Sequence, residues 1–145
     1  AWLAAAASLL VGVLATAWWQ SATQPPLQLA DGVLAARGDL AEALEERLGM
    51  DPARGGIAIG LSFRSRDDGY CRSFSLQAQS LAGLACRRGD RWQVVALGSG
   101  QAQGEGLRQA ASPLPPAVLA EVDARLRGEP LDAAGERRAR EAGWR

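Results

Sequence analysis

Two cysteines, Cys71 and Cys86, are the residues of this chain with the most distinctive chemistry. A pair of thiols can form a disulfide, and with further ligands it can bind a metal ion. The chain contains no histidine, which removes the commonest general base and the commonest metal ligand. Two cysteines without histidine cannot assemble a Cys/His zinc site. A disulfide and a pair of buried thiols are the two interpretations that remain.

Two other segments are similar to functional motifs, but the residues around them do not support those functions. Residues 60–64 (GLSFR) begin like a G-x-S-x-G nucleophile elbow, but Arg64 replaces the second glycine and the chain has no histidine partner. The tripeptide Arg88-Gly89-Asp90 occurs in cell-adhesion ligands, but glycine and aspartate are also typical of a hairpin turn. We therefore predict no catalytic residue, no metal ligand, no cofactor and no enzymatic activity.

The composition is that of one small domain with an apolar N-terminus. The chain has 145 residues, with 16 basic and 16 acidic side chains and a formal net charge of zero. A nucleic-acid-binding protein usually has a basic face, so this balance argues against nucleic acid as a partner.

Residues 57–97 contain the pattern that must position the cysteines. Ile57, Ile59, Leu61 and Phe63 alternate with small or polar residues, which is the period of a half-buried strand. Four strands are predicted, at about 57–63, 70–76, 81–87 and 92–97. The connections between them are short and contain turn-forming residues, so antiparallel pairing is expected.

The predicted register brings the cysteines together. If the second and third strands pair around the loop at residues 77–80, Cys71 faces Cys86. Facing residues of antiparallel strands have Cα atoms about 4.5–5.5 Å apart, which suits a disulfide. Such a bond would form in an oxidising compartment, and closing this loop would stabilise the fold by roughly 3 kcal/mol. We favour the disulfide over two buried thiols because the domain is expected outside the cytoplasm.

Helices are predicted on both sides of this sheet. Leucines recur every four residues in 39–48, which indicates an amphipathic helix: Leu40, Leu44 and Leu48. Asp39 and Glu42 are placed to form a capping box at its start, and Glu45 and Glu46 would lie on its solvated face. Residues 27–36 are predicted as a short helix. Two further helices are expected after Pro115 and at 131–144, the latter charged, with Trp144 packing back onto the domain.

Residues 1–19 carry no charge, and as a helix they would measure roughly 28 Å, close to the thickness of a bilayer core. Trp2 lies at one end and Trp18 and Trp19 at the other, where tryptophan favours the membrane interface. No arginine precedes Arg37, so the positive-inside rule places the residues after 20 outside the cytoplasm. A signal peptide and a buried core helix are the alternative interpretations.

These features predict an α+β fold, in which an N-terminal transmembrane helix precedes a small antiparallel four-stranded meander with flanking helices. The predicted domains are a transmembrane helix at 1–20, a juxtamembrane linker or helix at 21–38, and a periplasmic α+β domain at 39–145.

The chain resembles the membrane-anchored anti-sigma factors of Gram-negative bacteria. The resemblance lies in three segments between about residues 55 and 144: GLSFRSRDDGYCRSF, AGLACRRGDRWQVVAL and LPPAVLAEVDARLRGEPLDAAGERRAREAGW. It implies that this chain is the transmembrane and periplasmic part of a single-pass inner-membrane protein. The family's sigma-binding domain would then lie on the cytoplasmic side, before Ala1, and be absent from this chain.

The resemblance also implies a regulatory function. The cytoplasmic domain would hold an alternative sigma factor away from RNA polymerase, while the periplasmic domain senses a signal or binds a periplasmic protein. Release through an intramembrane protease is one route in the family. The alternative function is that of an anchored or secreted periplasmic binding or structural domain without a sigma partner.

Overall fold

The structure, a computed structural model, describes residues 24–100 and 114–145. These residues form one six-stranded antiparallel sheet with the strand order β1-β2-β6-β5-β4-β3, together with three helices. The strands are β1 (Leu27–Ala30), β2 (Val33–Ala36), β3 (Ile57–Arg64), β4 (Tyr70–Leu76), β5 (Leu81–Arg88) and β6 (Arg91–Ser99). The helices are α1 (Gly38–Glu46), α2 (Pro116–Arg125) and α3 (Ala133–Glu141).

The predicted four-stranded meander is present as β3 to β6, but the prediction of a four-stranded sheet is wrong. Residues 27–36, predicted as a helix, form a β-hairpin in which β1 pairs with β2, and β2 extends the sheet by pairing with β6. The hairpin turns at Asp31 and Gly32, whose φ angles are 54° and 74°. An Asp-Gly pair with both φ angles positive is the preferred two-residue hairpin connection, and it separates two short apolar runs that a helix would have joined.

The predicted transmembrane helix at 1–20 and its interface residues Trp2, Trp18 and Trp19 lie outside the described residues. Within residues 24–100 and 114–145, no helix is both long and apolar enough to cross a bilayer. The longest of the three described helices, α2, has 10 residues.

The three other predicted helices are present, and one predicted cap is wrong. Helix α1 begins after Arg37, and no side chain caps its first turn, so Asp39 and Glu42 do not form the expected capping box. Helix α3 is capped by Asp132, whose Oδ1 accepts a hydrogen bond from the Gly135 amide at 2.7 Å. This cap satisfies one of the free amides of the first turn.

The sheet separates two apolar clusters, because successive residues of a strand point to opposite faces. On the face covered by α1 and α3, which we call the α1/α3 face, the cluster includes Leu40, Leu44, Ile57, Ile59, Phe74, Trp92 and Trp144. On the face covered by α2, the α2 face, it comprises Phe63, Cys71, Leu84, Cys86, Val118 and Val122. The domain therefore has two cores, one between the sheet and the helices α1 and α3 and one between the sheet and α2.

The chain passes from the α2 face to the α1/α3 face along the outer edge of β3. The Arg127 amide donates to the Arg64 carbonyl at 2.9 Å, and the Leu131 amide donates to the Ser62 carbonyl at 2.8 Å. Helix α3 and Trp144 follow on the other face. We call residues 127–145 the C-terminal strap, since they cover an edge that would otherwise be open to pairing with another chain.

Candidate functional site

The predicted disulfide between Cys71 and Cys86 is present. The two residues lie directly opposite each other in β4 and β5, with their Cα atoms 4.0 Å apart. Both are fully buried on the α2 face, beside Val118 and Val122 of α2. The bond therefore joins two strands beneath a helix, where a reagent in solution reaches it only if the domain opens.

Arg72, the residue after Cys71, points to the opposite face and is 0 % exposed. Its guanidinium donates from Nε to the Ser62 hydroxyl at 2.8 Å and from Nη1 to the Leu44 carbonyl at 2.6 Å. Its Nη2 donates to Glu136 Oε1 at 3.3 Å. All three nitrogens of this buried cation therefore have partners, drawn from β3, α1 and α3.

Glu136 of α3 completes the arrangement and is 4 % exposed. Its Oε1 accepts from the Ser62 hydroxyl at 2.5 Å as well as from Arg72, and its Oε2 accepts from the Gly49 amide at 2.9 Å. We call Ser62, Arg72 and Glu136 the buried ionic cluster. Through it, one carboxylate of the strap is joined to β3, to β4 and to the loop after α1.

Burial sets the electrostatics of the buried ionic cluster. It lowers the pKa of Arg72 to about 10, although attraction to Glu136 and the hydrogen bond with it act in the opposite direction. The guanidinium stays charged at neutral pH, but its partner does not offset all of the hydration that the cation has lost. Buried ion pairs commonly show this balance, in which desolvation exceeds the attraction between the charges.

Trp144, near the end of the strap, packs against the buried ionic cluster. Its indole ring packs edge-on against Tyr70 and Trp92, with ring centroids 5.7 Å away in each case. The Arg72 guanidinium lies 4.3 Å from the centroid of the same ring, within the range of a cation–π contact. The indole Nε1 of Trp144 donates to the Glu45 carbonyl at 2.9 Å. The prediction that Trp144 packs back onto the domain is correct.

Glu45 does not simply lie on a solvated face, as the helical pattern predicted. Its Oε2 accepts hydrogen bonds from Arg87 at 2.6 Å and from the Trp92 indole at 2.8 Å. The side chain is 31 % exposed, so the pair with Arg87 is only partly screened by water. Glu45 thereby orients the ring against which Trp144 packs.

The cluster holds a hydroxyl and a carboxylate in contact, which is one element of an activated nucleophile. Ser62 is buried, however, and its oxygen also accepts from Arg72, so a substrate could not reach it in this conformation.

Within the described residues, no group of three or more His, Cys, Asp and Glu side chains could hold a metal ion. In the same ranges, every buried side-chain nitrogen and oxygen has a hydrogen-bond partner.

A surface cleft of about 610 Å³ lies between the β3–β4 and β5–β6 turns. Its charged residues interact with one another or with nearby backbone: the Arg88 guanidinium lies 4.0 Å from the Asp67 carboxylate and donates to the Asp68 carbonyl at 3.0 Å. Arg88-Gly89-Asp90, set aside above as an adhesion motif, lies around the turn between β5 and β6, where Gly89 has a φ of 59°. The cleft therefore presents mixed charges and no single-sign site for an ion.

No protein-family model, no curated protein and no solved structure matches this chain. The resemblance to anti-sigma factors therefore stays a prediction made from the sequence segments alone.

Proposed function

We propose that this domain is the extracytoplasmic sensing part of a membrane-attached anti-sigma regulator. The observation that supports an extracytoplasmic location is the Cys71–Cys86 disulfide. Disulfides form and persist in oxidising compartments such as the periplasm, and thiols in the cytosol are mostly kept reduced.

We further propose that the domain works by binding a partner and not by catalysis. Its most distinctive polar groups, Ser62, Arg72 and Glu136, are buried and bonded to one another. These three residues hold elements of the fold together and are not accessible to a partner. A partner would therefore bind to the surface of the domain, or to groups that become exposed when part of it moves. A periplasmic protein and an intramembrane protease are the proposed partners on this side of the membrane.

The link to a sigma factor is supported by the resemblance of the three sequence segments in residues 55–144. In this proposal, a cytoplasmic domain that precedes Ala1 in the full-length protein holds an alternative sigma factor. A change in the periplasmic domain then alters the stability or the cleavage of the whole protein, which releases the sigma factor.

Capture from the native bacterium tests this function. The full-length protein is tagged, solubilised gently from the membrane and analysed for proteins that co-purify in stoichiometric amount. We expect a sigma factor that is lost when the region before Ala1 is deleted and is retained when Glu141 is changed to alanine. The Glu141→Ala variant is the matched control, since it changes an exposed residue of the sensing domain and leaves both the core and the proposed sigma-binding domain intact.

The opposite outcome is equally informative. If envelope proteins alone co-purify, and no sigma factor is recovered with the intact protein, the regulator proposal is wrong. The domain would then be a periplasmic binding or structural module.

A further inference from the structure

We propose that the C-terminal strap is a releasable cover, which opens as a unit while the disulfide-linked strands stay folded and thereby uncovers a binding groove for an acidic, strand-forming peptide. This inference concerns the domain itself and does not depend on the presence of a sigma factor.

Few backbone hydrogen bonds attach the strap to the sheet. Two of its amides, those of Arg127 and Leu131, bond to the edge of β3. Gly128 lies between them with a φ of 74°, a conformation that glycine adopts without strain. The strap therefore has a flexible point at the place where it leaves α2.

The helix of the strap is held by charge more than by apolar area. Only Gly135, Glu136 and Ala139 are buried among the nine residues of α3. Two of these have little or no side chain, so Glu136 makes the main side-chain contact of the helix with the sheet. Trp144 is the one large apolar group of the strap that is fully buried.

An ionic attachment favours reversible opening. When apolar surfaces separate, both become exposed to water at a cost that grows with their area. When Glu136 leaves Arg72, both charges regain water, which returns the desolvation penalty that burial imposed. The buried ionic cluster thus resists partial disruption, in which one charge stays buried and unpaired, but permits complete release.

The rest of the domain has independent attachments. The disulfide joins β4 to β5, and α2 is anchored on the other face by Val118 and Val122. Helix α1 has its own apolar contacts with the sheet, through the buried side chains of Leu40 and Leu44. Release of the strap therefore leaves a six-stranded sheet with two of its three helices.

Release would uncover three features in one groove. The carbonyls of Ser62 and Arg64 would be free at the edge of β3, Arg72 would lack its carboxylate, and the space between Tyr70 and Trp92 would lack a ring. The strap itself shows what fits there, since it supplies extended backbone, a carboxylate and an aromatic side chain. A partner peptide that adds a strand to β3 and carries an acidic residue and an aromatic residue would match this groove.

Hydrogen exchange of the full chain in low concentrations of urea tests the release. We expect the amides of Arg127 and Leu131, which bond to β3, to exchange through a common opening that leaves β4 and β5 protected. Glu136→Gln should speed their exchange by about tenfold or more, because it removes a charged partner of Arg72. Exchange of strap amides only at the rate of β4 and β5 would show that the strap unfolds with the whole domain, and would overturn the proposal.

A labelled synthetic peptide with the sequence of residues 127–145 tests the groove. The protein is the full chain carrying Glu136→Gln, whose protected β4 and β5 amides report that it is folded. We expect saturable binding of the peptide, and about tenfold weaker binding of a peptide that carries the same substitution. A peptide carrying Glu141→Gln, changed at an exposed position of the same helix, should bind like the original. No binding, or equal binding of all three peptides, would contradict the groove.

Discussion

Cys71 and Arg72 are consecutive residues of β4, and their side chains form two different kinds of linkage on opposite faces of the sheet. Cys71 points to the α2 face and forms a covalent bond to β5. Arg72 points to the α1/α3 face and forms an ion pair with Glu136 of the strap. The first linkage joins neighbouring strands, and the second joins the sheet to a helix 64 positions later in the sequence.

The difference indicates a division of roles within a small domain. The disulfide joins the central strands covalently, while the buried ionic cluster and the Trp144 ring hold the strap by non-covalent contacts. Substitutions on the two faces should therefore differ in what they unfold as well as in how much stability they remove.

Trp144→Ala should remove the most stability, about 4–5 kcal/mol, because it deletes a fully buried indole and leaves a cavity between Tyr70 and Trp92. Urea unfolding followed by circular dichroism measures the loss. Trp144→Phe keeps an aromatic ring and should lose clearly less. If Trp144→Ala changes stability by less than about 1 kcal/mol, the ring does not anchor the strap.

Glu136→Ala should cost about 3–4 kcal/mol, because it leaves the Arg72 guanidinium in the core without its carboxylate. Glu141→Ala, at an exposed position of the same helix, is the control and should change stability by no more than about 0.5 kcal/mol. The same urea experiment compares the two variants. Similar losses for both would mean that helix content, and not the buried charge, determines how firmly α3 is attached.

Removal of the disulfide should cost roughly 3 kcal/mol, since the cysteines are 15 positions apart and the bond closes a loop of that size. The change is made by the double substitution Cys71→Ala and Cys86→Ala, and reduction of the wild-type protein provides an independent comparison. The loss should appear as faster exchange in β4 and β5. Faster exchange confined to the strap would contradict the division between the two faces.

Asp132→Ala should have the smallest effect, about 1 kcal/mol, because it removes only the cap of α3. Hydrogen exchange should show the Gly135 amide losing protection while the amides of β4 and β5 are unchanged. Asp132→Asn retains a capping oxygen and should stay within about 0.5 kcal/mol of the wild-type protein. An equal loss of protection in β4 would show that the strap and the sheet do not open separately.

The sequence was sufficient to predict the centre of the sheet. Apolar residues alternate with a period of two from Ile57 to Phe63, and the turns that separate the next strands are short. The short loop between β4 and β5 restricts how these two strands can pair, and so sets their register. The pairing of Cys71 with Cys86 follows from the register and is present in the structure. The alternation in β3 did not predict that Ile57 and Ile59 pack on one face and Phe63 on the other, because an irregularity between Ile59 and Ser62 shifts the register there.

The β1–β2 hairpin was predicted wrongly because its two strands are very short. Leu27–Ala30 and Val33–Ala36 contain mainly leucine and alanine, which are strong helix formers, and four residues do not establish a period. The informative signal was the Asp31-Gly32 pair, which is typical of a two-residue hairpin turn. Here turn chemistry outweighed helix propensity.

The buried ionic cluster could not be predicted from local patterns. Glu136 lies in a helix of mostly charged residues and looks like one of several solvated side chains in the sequence. The small residues Gly135 and Ala139 on the same face are the sole local sign that this side of α3 is buried. A contact between residues so far apart in the chain depends on the path of the strap around β3, which periodicity does not record.

The redox state of Cys71 and Cys86 in living cells tests the central claim of an extracytoplasmic, disulfide-linked domain most directly. Cells that produce the full-length protein are quenched in acid, and free thiols are then alkylated under denaturing conditions with a reagent that shifts the protein on a gel. Cells treated with a reductant before quenching provide the fully labelled standard. The account predicts that the untreated protein carries no label at either cysteine. Labelling of both cysteines in untreated cells would place the domain in a reducing compartment and contradict the account.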